Sequence, residues 1–262
     1  MNTPLSAEQV TRGLNTRLVG GKVLYYPRLT STMDAAREAV SGGAREGTVI
    51  VAGEQTAARG RVKRRWLSPQ GSIAFSIILY PEKASLPFLV MVSALAVACG
   101  IEEGTGLRPG LKWPNDVLLG GKKVCGILLE SAVRRGEAAY AVIGIGINAN
   151  ITVREIPGIP DNTTSLRAET GKEVDRAALI RRLLEHFERL YLRLPAGGGE
   201  IFQEWRERLD TLGRQVEVTT AEGTMAGIAE EVEPDGSLRL RRADGGSDRI
   251  VAGDITLRTV SG

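Results

Sequence analysis

The sequence is poor in the side chains that most often carry acid–base or metal chemistry. Its 262 residues include a single histidine, His186, and two cysteines. His186 falls on the polar side of a predicted helix, and we interpret it as a solvated surface imidazole. A Ser-His or Cys-His catalytic pair is then excluded, and so are metal sites built on several histidines. Any catalysis therefore has to come from positioning and from cations.

The two cysteines offer no alternative chemistry. Cys99 and Cys125 each stand inside an apolar run, without metal-ligand spacing and without a histidine nearby. We predict that both are buried thiols without a catalytic role.

No segment predicts export or a membrane span, and no charge of one sign dominates. The N-terminus lacks the charged, apolar and small-residue succession of a secretory signal, and the longest apolar run, Phe88 to Cys99, is too short to cross a bilayer. The net charge is only +3, from 34 basic and 31 acidic residues, so a binder that covers nucleic acid with its whole surface is not indicated. With 42% apolar residues, the composition predicts a soluble, cytoplasmic protein with an ordinary core.

Strand-like and helix-like segments alternate through most of the chain. The predicted strands cover 23–26, 48–52, 72–79, 123–130 and 140–147. The predicted helices cover 31–40, opened by a capping box at Ser31, then 86–101, capped by Ser85, and 176–194. These elements predict an α+β fold in which a mixed β-sheet is covered by helices.

The pattern changes after Gly197-Gly198-Gly199. From Gly213 onward, short strands separated by turn signals predict a small SH3-like β-barrel, whose last predicted strand runs through 248–258. We therefore predict two domains, residues 1–211 and residues 212–262. The second should dock on the first, because about fifty residues bury too little apolar surface to be stable alone.

One loop concentrates positive charge. Residues 58–66, ARGRVKRRW, place arginines and a lysine around one glycine. Such a loop suits either nucleic-acid phosphates or the phosphates of a small molecule. Residues 111–119, LKWPNDVLL, add Lys112 before a turn at Asn115-Asp116, which alone would be typical of an ordinary turn. A lysine and two arginines around exposed backbone suit a triphosphate and a carboxylate.

A series of motifs in this order resembles the biotin protein ligase family, whose members attach biotin to carboxylase carrier domains. The motifs are TSTMDAA (30–36), EQTAARGRVKRRW (54–66), KWPNDV (112–117), KVCGILLE (123–130), IGIGIN (143–148) and GDITLR (253–258). The resemblance covers about residues 20–260 and favours a small-molecule function for the basic loop. It implies a class II synthetase-like catalytic domain that binds biotin and ATP, followed by the SH3-like barrel.

The resemblance also implies a reaction. Biotin is activated by ATP to biotinyl-5′-AMP and is then transferred to a lysine of a biotin carboxyl carrier protein domain, with Mg²⁺ accompanying ATP. A carboxylate that attacks a negatively charged phosphate needs cations aimed at both groups. No general base is needed for that step, and we assign none to the transfer step.

The resemblance assigns roles to residues of these motifs. The implied catalytic cations are Lys112, Arg59 and Arg61. The implied biotin-binding residues are Ser31, Thr32, Met33, Gln55, Arg59, Gly60, Arg61, Lys112, Gly144 and Gly146. The implied ATP-binding residues are Arg61, Arg64, Trp66, Lys112, Asn115 and Asn148. No protein side chain is assigned to a metal ion.

The basic loop departs from the family pattern. Ala58 and Lys63 occupy the first and third glycine positions of the family loop, so only Gly60 keeps the freedom of positive φ. Met33 stands where the family usually has asparagine. The loop should be stiffer or differently ordered without ligand. We predict that it is a lid, opened by repulsion between its like charges and closed by an anionic phosphate.

Partners and alternatives follow from the same comparison. The family is compatible with a homodimer through the sheet edge near 140–147. Residues 1–22 cannot hold the three helices of a repressor domain, so we expect no specific DNA binding. Two other functions stay open: a lipoate protein ligase-type enzyme, which also makes an acyl-adenylate, and a non-catalytic nucleic-acid-binding module, which would bind in a salt-sensitive manner.

Overall fold

The protein is built on two separate β-sheets. A computed structural model describes residues 5–134 and 137–257. The larger sheet contains β1 (Lys22–Tyr26), β2 (Thr48–Ala52), β3 (Ile73–Leu79), β4 (Gly110–Lys112), β5 (Asp116–Leu119), β6 (Lys122–Arg134) and β7 (Glu137–Ile147). The smaller contains β8 (Gln215–Thr220), β9 (Gly223–Val232), β10 (Leu238–Arg241), β11 (Ser247–Ile250) and β12 (Asp254–Leu257). The helices are α1 (Ala7–Thr11), α2 (Thr32–Ser41), α3 (Leu89–Thr105), α4 (Leu166–Thr170), α5 (Arg176–Tyr191) and α6 (Gly199–Glu207).

The larger sheet is mixed and is covered on both faces, which confirms the predicted α+β fold. Its strand order is β1-β2-β3-β7-β6-β5-β4, with β1 and β2 parallel and the other neighbours antiparallel. Along β3, Phe75 and Ile77 face the main core with α3 and α5, whereas Ile78 packs with Met33 of α2 on the opposite face. This alternation places Ser76 on the α2 face, where the pocket described below lies.

The prediction that residues near 140–147 form an edge of the sheet is wrong. β7 pairs with β3 on one side and with β6 on the other, because the chain inserts β7 between strands that precede it in sequence. The pairing of β6 with β5 ends at Gly126, so among the described residues no strand lies beside 127–134 on that side. The open edge within this hairpin is therefore on β6. The sequence predicts a polar hairpin loop around Arg134-Arg135-Gly136; Arg134 ends β6, and Arg135 and Gly136 lie outside the described residues.

Several predicted element ends are also wrong. Ser31 is the N-cap of α2 by position, but its side chain makes no capping hydrogen bond, so the capping box does not form. Ser85 lies within a 3₁₀ turn at 83–88, and α3 begins only at Leu89, after the turn that contains Pro87. The last predicted strand is divided into β11 and β12 by a break at 251–253.

The apolar helix is longer than its sequence run predicted. The continuous helical segment Lys83–Thr105 contains an 18-residue window with a mean hydropathy of 2.2, and the segment is long and apolar enough, by length and composition alone, to cross a membrane. Within the protein, 61% of that apolar window is buried, and α3 packs on α5 and on the larger sheet. Burial in the core accounts for its composition.

The smaller sheet is antiparallel, with the order β11-β10-β9-β8-β12, as expected for an SH3-like unit. It contacts the β4–β5 turn of the larger sheet. The buried Trp113 donates from Nε1 to the carbonyl oxygen of Gly236 at 2.8 Å, and Lys112 Nζ lies 3.2 Å from the carbonyl oxygen of Ile255. The boundary at residue 211 stays a prediction.

Candidate active site

One pocket of about 230 Å³ gathers the predicted site residues. It opens between the N-terminus of α2, the loop 58–66, the β4–β5 turn, the glycines of β7 and the start of β12. The structure places in its wall all of the residues assigned from the motifs: Ser31, Thr32, Met33, Gln55, Arg59, Gly60, Arg61, Arg64, Trp66, Lys112, Asn115, Gly144, Gly146 and Asn148. Asp254 and Ile255 of the smaller sheet line the same pocket.

The pocket floor is formed by strand positions without large side chains. Gly144 and Gly146 of β7 pair with Ser76 and Ala74 of β3. A Cβ atom at Gly144 would lie 2.6 Å from the sulfur of Met33, and one at Gly146 would lie 2.5 Å from Nε1 of Trp66. The absence of side chains at these glycines therefore leaves room for Met33 and Trp66 to lie close against the sheet.

A short chain of neutral hydrogen bonds borders this floor. Gln55 Oε1 accepts from the backbone N–H of Thr32 at 2.8 Å and from its hydroxyl at 3.1 Å. The hydroxyl of Ser76 donates to Thr32 Oγ1 at 2.8 Å. Ser31 and Thr32 are buried and Ser76 is fully buried, so these polar groups are held in fixed positions away from water.

The basic loop forms a small hairpin. The N–H of Gly60 donates to the carbonyl oxygen of Arg64, and that of Trp66 donates to that of Ala58. Gly60 was expected to use positive φ, but its φ is −96°, and the left-handed position falls on Val62, with φ 50°. This conformation is strained for a β-branched residue and costs about 1–3 kcal/mol.

Four loop arginines line this end of the pocket, and three of them pair with different elements. Arg59 contacts Asp34 of α2, Arg61 Nη1 lies 3.3 Å from Asn115 Oδ1, and Arg64 Nη2 lies 3.1 Å from Asp254 Oδ2 of β12. The repulsion that the lid hypothesis assumes is thus offset by pairing. Burial lowers the pKa of Arg61, while Asp254 and Asp116 act in the opposite direction.

Two cations of the pocket wall, Arg65 and Lys123, were not predicted from the sequence. Lys123 pairs with a carboxylate of the same wall. Its Nζ lies 2.5 Å from Asp116 Oδ1, and Lys112 Nζ lies 3.1 Å from Asp116 Oδ2, so one buried carboxylate bridges two lysines. Lys123 Nζ also lies 5.4 Å from the ring centroid of Trp66. Its position at the start of the KVCGILLE motif was the available signal. Regular strand alternation does not predict that Lys123 faces the pocket, because a register shift between β5 and β6 changes which side chains point to that side.

The two predicted amide ligands already have backbone partners. Asn115 Nδ2 donates to the carbonyl oxygen of Ile127 at 2.6 Å, and the buried Asn148 donates from Nδ2 to that of Thr164 at 3.0 Å. Both amides therefore hold neighbouring chain segments in place. Trp66 Nε1, in contrast, is buried and has no hydrogen-bond partner among the described residues.

The histidine and the cysteines lie outside the pocket wall. His186 is not a solvated imidazole: its side chain is 19% exposed, with Nε2 2.9 Å from Glu103 Oε2 and Nδ1 2.9 Å from Arg189 Nη2. Cys125 is buried and Cys99 is half-buried, and burial raises the pKa of both thiols. In the described part of the chain, no three acidic, histidine or cysteine side chains cluster as metal ligands.

Comparison with known proteins agrees with this geometry. Residues 25–148 match the model of the biotin/lipoate A/B protein ligase family, and residues 211–258 match the biotin protein ligase C-terminal domain. The bifunctional ligase/repressor BirA of Bacillus subtilis is 36% identical over 258 residues, which cover 97% of this chain and 79% of that protein. The biotin--[acetyl-CoA-carboxylase] ligase of Paracoccus denitrificans is 35% identical over 206 residues, 73% of this chain and 83% of that protein.

A solved structure shows the same architecture. The biotin protein ligase from Aquifex aeolicus in complex with biotin and ATP aligns with a TM-score of 0.77 at 30% identity, covering 91% of this chain and 99% of that one. The fold and the pocket thus define a ligase of the biotin and lipoate class. Within that class, the chain belongs to the biotin protein ligase family.

Proposed function

We propose that this chain activates biotin with ATP to form biotinyl-5′-AMP and transfers biotin to a lysine of a biotin carboxyl carrier protein domain. The observation that supports this most directly is the division of one pocket into two ends. Neutral hydrogen-bonding groups and Gly144 lie at one end (the neutral end), and Lys112, Lys123 and the loop arginines Arg59, Arg61, Arg64 and Arg65 lie at the other (the phosphate end). Biotin has the same division, with a neutral ring system at one end and a carboxylate at the other.

In the first step, an oxygen of the biotin carboxylate attacks the α-phosphorus of ATP. A mixed anhydride forms, and pyrophosphate leaves with the bonding electron pair. The attacking and leaving groups are all anionic, so cations that reach both lower the barrier. Lys112, Arg59 and Arg61 supply this charge, and Lys123 adds to it.

Asp116 fixes the two lysines at this end. It contacts both Nζ atoms and is buried, so each lysine is held in one orientation before ATP binds. Such preorganisation avoids the cost of ordering flexible side chains during the reaction. Asp116 is thus a positioning residue for the lysines, and we assign no general base to the transfer step.

The nucleotide end is proposed to bind adenine through Trp66, with Asn115 and Asn148 as amide neighbours and Arg64 at the phosphates. The unpartnered Nε1 of Trp66 supports a rearrangement on binding. A buried N–H without an acceptor costs about 1–3 kcal/mol, so a shift of Trp66 towards a ligand would recover that energy.

Mg²⁺ is proposed to enter with ATP. Both carboxylates of the pocket are already paired with cations, Asp116 with two lysines and Asp254 with Arg64. They do not form a dedicated metal site. Mg²⁺ prefers phosphate oxygens and water in nucleotide complexes, so the triphosphate supplies its ligands here.

Two partner proposals remain. The carrier domain must bring a neutral lysine amine to the anhydride. A homodimer also stays a proposal, and the side of β6 that faces away from β7 at 128–134 is the edge that could form it, since β7 is paired on both sides. Sedimentation velocity with and without biotin and ATP would give the oligomeric state.

The direct test is incubation with ATP, Mg²⁺, radiolabelled biotin and a carrier domain. We expect label on the carrier lysine, with pyrophosphate released in equal amount. Omission of the carrier should leave biotin-dependent ATP–pyrophosphate exchange. Parallel reactions with lipoic acid should give neither signal. Transfer of lipoate in place of biotin, or no exchange with either acid, would contradict the proposal.

A further inference from the structure

Ser76 is a fully buried polar residue that packing does not require. It lies on the α2 face of β3, between Ala74 and Ile78, and pairs with Ile50 of β2 and Gly144 of β7. Alanine would fill this position without burying a hydroxyl group. A buried hydroxyl costs free energy unless it is hydrogen-bonded, and this one donates to Thr32 Oγ1 at 2.8 Å.

The direction of this hydrogen-bond chain is fixed by the backbone. Gln55 Oε1 accepts the N–H of Thr32, a group that can only donate, so the amide oxygen of Gln55 must point towards Thr32. The Thr32 hydroxyl lies 3.1 Å from the same oxygen and must also donate to it. Its only proton is then used, and Thr32 Oγ1 has to act as an acceptor towards Ser76.

This polarity determines what Thr32 can offer to a ligand. With its proton given to Gln55 and one lone pair taken by Ser76, Thr32 Oγ1 presents one remaining lone pair, which accepts an N–H. Ser76 does not line the pocket, whereas Thr32 and Gln55 do. Any effect of Ser76 on a ligand therefore passes through Thr32.

We propose that Ser76 is a positioning residue that holds Thr32 Oγ1 as an acceptor for an N–H of the ureido ring of biotin. This inference rests on the proposed function, because it takes biotin as the ligand. It adds a residue behind the pocket wall to those that determine specificity at the neutral end of the pocket. Ser76 and Gln55 each hold the Thr32 hydroxyl by one hydrogen bond, so both bonds must be in place for the lone pair to keep its direction.

The test is a double-mutant cycle measured by calorimetric titration of biotin. Ser76→Ala should raise the Kd for biotin about fivefold to tenfold, since one neutral hydrogen bond that orients the site is lost. Thr32→Val, which keeps the side-chain shape, should raise it further. The double variant should match Thr32→Val alone, because Ser76 acts only through Thr32.

Three further measurements separate positioning from a structural role. ATP binding and the thermal midpoint of Ser76→Ala should equal those of the wild type. Ser93→Ala is the matched control: Ser93 is also fully buried and donates one hydrogen bond, to the carbonyl oxygen of Leu89 at 2.6 Å. It should leave the Kd for biotin unchanged.

Unchanged biotin affinity in Ser76→Ala would overturn the inference while leaving the proposed function intact. So would additive effects of the two substitutions, which would mean that Ser76 acts independently of Thr32. Absence of biotin binding by the wild-type chain would instead contradict the proposed function and the inference with it.

Discussion

The two ends of the pocket keep their shape by different means. At the neutral end, the side chains of Ser76, Thr32 and Gln55 make neutral hydrogen bonds with one another and with the backbone N–H of Thr32. At the phosphate end, long cationic side chains from the loop and from β4 to β6 are held by acidic and amide groups, one of them on β12.

This difference indicates that recognition and rate enhancement are divided between the two ends of the pocket. Side chains that are already fixed by hydrogen bonds lose little conformational entropy when a ligand binds, so the neutral end can discriminate by geometry alone. The long cations must exchange protein carboxylates and amides for phosphates. They gain most where negative charge develops, and so they act on the transition state more than on ground-state binding.

The largest expected effect is on the lysines. Lys112→Ala should slow adenylate formation by about 2–4 kcal/mol in activation free energy, because a charge aimed at the transition state is lost. Biotin-dependent pyrophosphate exchange measures it. Lys123→Ala, measured alongside, would show whether the charge is shared. Lys122→Ala, an exposed neighbour, serves as the control. Wild-type exchange in Lys112→Ala would remove Lys112 from the catalytic set.

Retention of the adenylate should depend on Arg61. Arg61→Gly removes a partly buried cation and should release biotinyl-5′-AMP about 10- to 100-fold faster, so that unrelated lysines become biotinylated. Hydrogen exchange of amides 59–65, with and without biotin and ATP, should show ligand-dependent protection in the wild type. Val62→Gly loosens the same loop without loss of charge and should retain the adenylate. Equal protection in both states would contradict the lid.

The floor glycines should separate the two ends. Gly146→Ala places a Cβ atom within 3 Å of three indole atoms of Trp66, a rigid ring that must move as a body. We expect a loss of about 1–3 kcal/mol in ATP binding. Gly144→Ala meets the flexible end of Met33 and should weaken biotin binding in preference. Titration of each variant with each ligand checks this. Equal effects on both ligands would mean that the ends are not separate.

A smaller effect is expected from the pair between the loop and β12. Asp254→Asn should raise the KM for ATP less than about fivefold, because a partly exposed pair contributes only about 0.2–1 kcal/mol. The Kd for biotin should stay unchanged. Asp248→Asn removes another ion pair of the smaller sheet, with Arg242, outside the pocket wall and is the matched control. A change in biotin affinity would show that the two ends are coupled.

We expect no specific binding of this protein to DNA. Arg59 and Arg64 are already paired with carboxylates, so the loop presents less free positive charge than its sequence indicates. Gel retardation should show only binding that disappears at physiological salt. Sequence-specific retardation that survives this salt, with or without biotin and ATP, would contradict the expectation.

Local patterns predicted much of the fold. The 3.6-residue periodicity around Leu183 and Phe187 predicted α5, and apolar runs predicted β2 and β3. The residues that the motifs assigned by resemblance lie in a single pocket wall, although they come from separate strands, loops and a helix.

Long-range pairing was not available from the sequence. The strand order that inserts β7 between β3 and β6 made the predicted edge wrong, and a register shift hid Lys123. The sequence around Ser76, an apolar strand, carries no local sign of its role, because its partner Thr32 is 44 positions away. Such relations depend on which surfaces meet in three dimensions, and one sequence does not encode them locally.

The contacts of Asp254 and Ile255 with the pocket also set an order of assembly during synthesis. The chain leaves the ribosome with its N-terminus first. It completes the neutral end of the pocket once β7 has emerged, more than a hundred residues before β12. The wall around Lys112 and Arg64 is finished only when β12 joins β8. A nascent chain therefore has its recognition surface long before its phosphate end is complete.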